Sequence, residues 1–378
     1  MTASIHFPAA RILLIRYRMI GDVLLDTPII RALRQHYPDS HIAFCTESTP
    51  AAVLRDNPDL DEILLHPRPT TWYQELQFIR QVRRRRFDLL LDLMGNSRSA
   101  LMTRLSGARH RVAFARFPRS LCYTMLVDHE SGRQRYTVSK RLRLLEPLGI
   151  QSTDLSLQMT YSQQEQAAVE RFLNDHQNKP DDLLICLDPT SHVITREWPA
   201  KHFARLIDLL TERLTARVCL LWGPGEREKV QAIADSAHST PLLHPAWELA
   251  HVAALLARAD LLIGCNSAPL HIAVSQHTPT LIIHGATGAN GWSPPAPRHR
   301  TIALGLPCQP CGKRSCSPPL NIDCLRRLSP EAVYAAVESF SPWSQNAEWT
   351  QHVRHRPTPS PSIEPDGTGK FEAGRRDA

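Results

Sequence analysis

The sequence predicts an α/β protein made of two Rossmann-like parallel-sheet domains that face a central cleft. Two observations carry this expectation. Apolar strand-like runs alternate with helical runs from the first residues to about position 340. That order gives a mostly parallel sheet with helices on both faces. The alternation also pauses once, near residue 175, and then restarts, so the chain falls into two arrays of similar size. A length of 378 residues suits two ordinary domains.

In the first array, strands are expected at 12–15, 42–45, 62–65 and 89–93, with helical stretches at 23–36, 51–55 and 72–86. Residues 109–114 add a strand. Residues 136–148 read as a helix ended by Gly149, a suitable residue just past a C-terminus. A helix over 163–176 leads into the polar stretch 178–182, NKPDD, read as a hinge. The expected domains are therefore 1–175 and 176–340. In the second array, strands are expected at 183–187, 218–222, 261–264 and 280–284, with helices at 200–214, 226–236, 248–258 and 269–275. A last helix over 329–339 opens with Ser329 and Pro330, a good N-cap and first-position pair. From 341 to 378 the chain is polar and rich in Pro, Ser and His, which predicts a disordered tail.

Composition narrows the function. Hydrophobic content of 42% and charged content of 21% are those of a soluble globular protein. No run approaches the roughly 18 apolar residues of a membrane span, and the N-terminus lacks the pattern of a signal peptide. A cytosolic protein is the default. The net charge of +7 is uneven, because residues 80–143 hold sixteen lysines and arginines against four acids. Such a segment suits nucleic acid, an anionic membrane surface or a phosphorylated substrate, or is simply a solvated face. The absence of zinc-finger spacing and of an aromatic-interleaved RNA motif disfavours nucleic acid.

Four of nine cysteines gather late, at Cys308, Cys311, Cys316 and Cys324. Their spacing permits zinc or a redox pair but does not match a paired-knuckle ribbon. A packing or weak metal role within a Cys- and Pro-rich loop is the expected reading, ahead of a structural zinc site, and a catalytic zinc is disfavoured.

The segment 11–34, RILLIRYRMIGDVLLDTPIIRALR, reads as strand, polar loop, Gly21-Asp22 and helix. It puts Asp22 over the carboxyl end of a strand, where open α/β sheets bind ligands. The same carboxylate could merely cap the helix. Three loops of the second array also fall at strand ends. DPTSHVITREW, 188–198, offers the hydroxyls of Thr190, Ser191 and Thr195 and the guanidinium of Arg196, a set that suits a diphosphate. WGPGEREK, 222–229, is a tight strand-to-helix turn without the full GxGxxG fingerprint. There Glu226 or Glu228 could hold ribose hydroxyls. IGCNSAPLHIAV, 263–274, ends a strand and starts a helix capped by Ser267, whose free amides form an anion site. His271 falls in that helix, where a histidine is more often structural.

These segments resemble glycosyltransferase family 9, the lipopolysaccharide heptosyltransferases. Residues 11–42 are similar to the family's N-terminal signature, PTSHVITREWPAKHF to its phosphate loop, and IGCNSAPLHIAVSQHTPTLIIHGAT to its strand and Ser-Ala-Pro-x-His helix. Cysteine segments like CQPCGKRSC also recur among members. The GDVLLDTP and SAP versions resemble the heptosyltransferase III branch. The resemblance runs from about 11 to 340. It implies a GT-B enzyme, inverting, with no metal and no cofactor, that moves heptose from ADP-heptose to a lipopolysaccharide core acceptor at the cytoplasmic face of the inner membrane. It implies Asp22 as general base and Arg196 at the diphosphate. Thr190, Ser191, Glu226, Asn266, Ser267, Ala268 and His271 fall at its donor site, and Arg18 and Arg98 are expected toward the acceptor. Arg83 to Arg86, Arg98, Arg104 and Arg119 gain a role in docking the phosphorylated acceptor at the anionic inner-membrane surface.

The chain also departs from the family pattern. Asn266 stands where many members have Asp, Arg196 where they have Lys, and Tyr17-Arg18 where they have small serines. Rival readings are a member using another nucleotide sugar or acceptor, a sugar-nucleotide-binding protein without transfer, and a Rossmann oxidoreductase. The last is disfavoured by the missing GxGxxG after the first strand.

Overall fold

The structure is a computed structural model and describes residues 10–68, 70–128, 136–176, 183–288, 291–316 and 321–340. The expected hinge at 178–182 and the expected tail from 341 lie outside these residues. The chain runs β1 (Arg11–Ile15), α1 (Ile20–Leu24), α2 (Thr27–His36), β2 (His41–Thr46), α3 (Ser48–Ala51), β3 (Glu62–Leu65), α4 (Trp72–Arg84), β4 (Leu89–Asp92), α5 (Ser97–Leu105), β5 (His110–Phe114), β6 (Met125–Val127), α6 (Thr137–Leu142) and α7 (Gln163–Asp175). It continues with β7 (Leu184–Asp188), α8 (Ala200–Leu214), β8 (Arg217–Leu220), α9 (Arg227–Asp235), β9 (Leu242–Leu243), α10 (Leu249–Arg258), β10 (Leu261–Cys265), α11 (Ala268–Ser275), β11 (Thr280–Ile283), β12 (His299–Ile302), α12 (Asp323–Arg326) and α13 (Pro330–Phe340).

Two six-stranded sheets result, ordered β3-β2-β1-β4-β5-β6 and β12-β11-β10-β7-β8-β9. Every pairing is parallel. Parallel strands are covered on both faces, which is why β1, β4, β7 and β10 read as unbroken apolar runs. Ile12, Leu14, Leu89 and Leu91 are fully buried in the first sheet, and Ile185, Leu187 and Ile263 in the second. In each sheet the chain starts at a central strand, winds to one edge and returns to the other side. Ligands bind where that order reverses, at the strands' carboxyl ends.

The structure departs from the expected elements in a few places. The run 23–36 is two helices, α1 and α2, with Asp26 between them and Pro28 in the first turn of α2. Proline lacks the N–H that would continue the ladder and is best placed at a helix start. The run 136–148 is α6 followed by a 3₁₀ turn with Pro147 inside it. Helix α5 and the short strands β6, β9 and β12 were not anticipated. Helix α7 packs Phe172 edge-on against Trp247 of the second half, with ring centroids 5.1 Å apart. The halves are also tied by Gln276 Nε2 donating to the Met159 carbonyl at 2.9 Å and by Arg55 to Glu248 at 2.8 Å. No helix of the described residues is long and apolar enough to cross a membrane.

Candidate active site

Asp22 is not a helix cap. Met19 is the N-cap of α1 and makes no side-chain cap bond, and Asp22 lies within the first turn. Its Oδ1 accepts from Arg141 Nη2 of α6. Arg141 Nη1 donates to the Asp22 carbonyl at 2.6 Å and to Asp26 Oδ1 at 2.8 Å, while Arg16 Nε holds Asp26 Oδ2 at 2.8 Å. Asp26 is fully buried, and the Asp22 side chain keeps 26% of its exposure. Burial pushes the Asp22 carboxyl up, but Arg141, Arg16 and, more weakly, His271 outweigh it and hold the group below its ordinary value. Asp22 is therefore ionised at neutral pH, with one oxygen tied to Arg141 and its Oδ2 without a partner among the described residues. An ionised carboxylate so placed can accept a proton from a hydroxyl brought within hydrogen-bond reach.

Arg141 was missed as a site residue. In the sequence it is one more cation of the basic segment, and only the fold returns it to Asp22 and Asp26, 119 and 115 residues away.

Helix α1 touches the second half through Gly21. A Cβ there would stand 2.5 Å from His271 Cδ2, so only glycine lets α1 close onto α11. The His271 ring is buried and burial lowers its pKa to about 4, so it stays neutral. Asp22 thus sits on a helix pressed against the first turn of α11.

That turn is open to an anion. Ser267 was expected to cap it, but its side chain makes no cap bond and donates to Asp188 Oδ2. The first amides of α11 are left without a side-chain partner, which suits a negative group. Asp188 ends β7 beside Gly264 of β10, where a Cβ would meet the Asp188 Cβ at 2.6 Å. Burial raises Asp188 to about 7, the Ser267 bond opposes this, and the Glu226 charge adds to it. Glu226, rather than the exposed Glu228, therefore faces this end of the sheet. Its Oε2 accepts the Gly223 N–H at 2.8 Å. Asn266 is buried, and its Nδ2 meets Thr287 Oγ1 at 3.3 Å.

Thr190 is buried directly after β7, and Ser191 accepts from the Val193 N–H at 3.3 Å. Arg196 ends a 3₁₀ turn that the cysteine-rich loop braces. Thr195 Oγ1 donates to the Lys313 carbonyl at 2.7 Å, the Thr195 carbonyl accepts from Ala286 N at 3.0 Å, and Gly312 N donates to the Ala286 carbonyl at 2.8 Å. These bonds bring Arg314 beside Arg196, whose guanidinium loses basicity through burial first and Arg314 second. Neither meets a carboxylate among the described residues. Two cations held together without a counter-ion form a site for an anion. A cavity of about 320 Å³ opens between Lys140 of α6 and Ala286, Gly288 and Gly312.

The remaining expected residues lie on the first-half side. Arg18 is exposed in the loop after β1. Arg98 Nε pairs with Glu75 at 2.9 Å, and its guanidinium lies 6.0 Å from the centroid of the Tyr17 ring. All nine cysteines are free thiols. The thiol of Cys324 is pushed up by burial and then by Cys308, Cys316 and Cys311. Among the described residues no group of three or more His, Cys, Asp or Glu is arranged to hold a metal ion.

Two parallel six-stranded sheets of this order, each covered by helices, are the α/β architecture of the GT-B glycosyltransferases. The chain belongs to glycosyltransferase family 9 (heptosyltransferase), whose family model matches residues 75–320. It is 28% identical over 291 residues to lipopolysaccharide heptosyltransferase 3 of Escherichia coli, covering 73% of this chain and 84% of that one. The family 9 glycosyltransferase of Veillonella parvula has the same fold, with a TM-score of 0.78 at 23% identity over 89% of this chain and 98% of its own. So does the E. coli ADP-heptose lipopolysaccharide heptosyltransferase II, with a TM-score of 0.69 at 17% identity over 87% and 98%. The matched stretch of the family model begins beyond Asp22.

Proposed function

We propose that this enzyme transfers heptose from ADP-heptose to a hydroxyl of the lipopolysaccharide core, at the cytoplasmic face of the inner membrane, with inversion and without a metal. The names of its relatives support the substrate class. One observation carries the mechanism: the ionised Asp22 stands on α1, which Gly21 presses onto the donor-side helix α11 at His271. In this reading the acceptor oxygen attacks the anomeric carbon as Asp22 takes its proton. The bond to the ADP oxygen breaks, and the leaving group departs as the anion. Arg196 and Arg314 neutralise the diphosphate as charge develops, the work a metal does elsewhere. The amides of Ala268 and Leu270, with Thr190 and Ser191, hold phosphate oxygens. Glu226 Oε1 takes ribose hydroxyls, and Asn266 reads the sugar through its amide. Arg18 and Arg98 line the acceptor side.

Incubation with ADP-heptose and a heptose-deficient core acceptor, followed by mass spectrometry, tests this reading: the acceptor gains one heptose and ADP appears in equal amount. ADP release without a heptosylated acceptor, or transfer only from another nucleotide sugar, contradicts it.

Two further results are expected at the donor wall. Arg314→Gln weakens ADP binding about tenfold by calorimetry, the scale of one charge-assisted hydrogen bond. Thermal stability is unchanged, because Arg314 is exposed. An affinity equal to wild type removes Arg314 from the site. A bound diphosphate also disfavours a second negative charge on Asp188, held at about 7. The protonated form therefore binds ADP better, and affinity falls as pH rises through neutrality. Calorimetry in buffers of different ionisation enthalpy should show proton uptake near pH 7 that Asp188→Asn abolishes; no uptake in wild type contradicts the placement of the diphosphate.

A further inference from the structure

Helix α6 turns one side toward the second half. Thr137, Lys140 and Arg141 are three and four residues apart, so they share a side of the helix. Val138 and Leu142 are buried in the hydrophobic core. Thr137 Oγ1 donates to the Gly291 carbonyl of the second half at 2.5 Å. Arg141 holds Asp22 and Asp26 of the first half. Lys140 stands between these two anchors. Its backbone N–H is spent on the Tyr136 carbonyl at 3.3 Å. Its side chain is half-buried and meets no carboxylate among the described residues. A cation left unpaired between two halves is matched to an anion that arrives from outside.

The space in front of Lys140 belongs to the second half. The cavity of about 320 Å³ has Lys140 as its one first-half residue among the described residues. Its other walls are Ala286, Gly288 and Gly291, after the carboxyl end of β11, and the stretch 310–312. None of these is charged. Their small side chains let a ligand approach the backbone closely. The volume lies at the lower end of small-molecule sites, roughly 300–1,000 Å³.

This wall is locked to the Arg196 turn. The Ala286 N–H donates to the Thr195 carbonyl at 3.0 Å, and the Ala286 carbonyl accepts from Gly312 N at 2.8 Å. A Cβ on Gly285 would collide with that same Thr195 carbonyl, so glycine is what closes the seam. Thr287, between Ala286 and Gly288, meets Asn266 Nδ2 at 3.3 Å. The cavity wall, the Arg196 turn and the Arg314 segment therefore move as one piece. An anion seated on that piece is reached from the first half by Lys140.

We propose that Lys140 is a diphosphate-binding residue supplied by the first half, its ammonium closing on the β-phosphate from the side opposite Arg196 and Arg314. This rests on the reading above that the donor is a sugar linked to a nucleoside diphosphate. The β-phosphate is the one that carries the sugar, so it lies nearer the half that bears Asp22. It also takes up the charge left behind when the sugar departs. A lysine suits that position as a compact point charge that needs no fixed plane. Arg141 follows Lys140 directly, so the turn of α6 that contacts the donor also holds Asp22.

Calorimetry on the full chain with ADP and with AMP tests the proposal, because AMP lacks the β-phosphate. Lys140→Met is expected to weaken ADP binding about tenfold, the scale of one charge-assisted hydrogen bond, and to leave AMP binding unchanged. Lys140→Arg keeps the charge and should recover most of the ADP affinity. The melting temperature of Lys140→Met should equal that of wild type, since no ion pair is lost. Turnover of Lys140→Met at saturating donor should fall at least about tenfold, because the negative charge on the β-phosphate grows as the bond to the sugar breaks. Equal losses for ADP and AMP, or wild-type affinity for ADP, overturn the proposal. So does a variant whose one defect is a raised KM for the acceptor, which would place the lysine on an acceptor anion instead. If the transferase reading alone is wrong, ADP binding still depends on Lys140 while no heptose is transferred.

Discussion

Asp22→Ala is expected to lower turnover about a hundredfold or more, the scale of a general-base contribution, while leaving ADP affinity unchanged. The side chain is held by Arg141 yet keeps a quarter of its exposure toward the cleft. Removing it deletes the proposed proton acceptor without disturbing the proposed donor wall. Asp22→Asn should fall equally far, because an amide fills the same space but cannot take the proton. The pH profile of the wild type carries the sign of the Asp22 environment. Arg141 and Arg16 hold the carboxyl below its usual range, so activity should persist well below neutral pH before an acid limb appears. Near-normal turnover of Asp22→Ala with the authentic acceptor would assign the base elsewhere.

Arg141→Met has the largest expected effect on the fold. The guanidinium is buried between two carboxylates, one of them with no exposure at all. Burial disfavours its charge, and Asp26 and Asp22 more than restore it. Deleting one partner of a buried ionic network leaves uncompensated charge and costs about 3–5 kcal/mol. Urea unfolding should show that loss, with the slope unchanged. Arg16 still holds Asp26, so enough native protein should remain to assay. In that protein the acid limb of turnover moves up toward neutrality, because the main cation lowering the Asp22 pKa is gone. A variant with wild-type stability and an unmoved acid limb would leave Arg141 without a role in positioning the base.

The readable part of this molecule is the part whose cause is local. Strands β1, β4, β7 and β10 are buried on both faces, so each announces itself as an apolar run. Strands β6, β9 and β12 have two to four residues, and β12 is largely open to solvent, so no pattern marks them. Gly21-Asp22 was legible because a strand, a turn and a helix are consecutive in sequence. Arg141 was not, since its reason for being basic lies in two carboxylates more than a hundred residues earlier. Arg314 was hidden for a similar cause: it belongs to the cysteine loop, and only the bond from Thr195 to Lys313 reveals that this loop braces the Arg196 turn. Ser267 shows the converse. Its position predicts a cap, in which Oγ would accept a backbone N–H, but the side chain makes no such bond and instead donates to the buried Asp188.

In the proposed reaction an acceptor oxygen, relieved of its proton by Asp22, replaces ADP at the anomeric carbon in a single displacement. Proton NMR of the heptosylated product measures it most directly. The new glycosidic bond is expected to have the anomeric configuration opposite to that in the donor. Retention of the donor's configuration would contradict it.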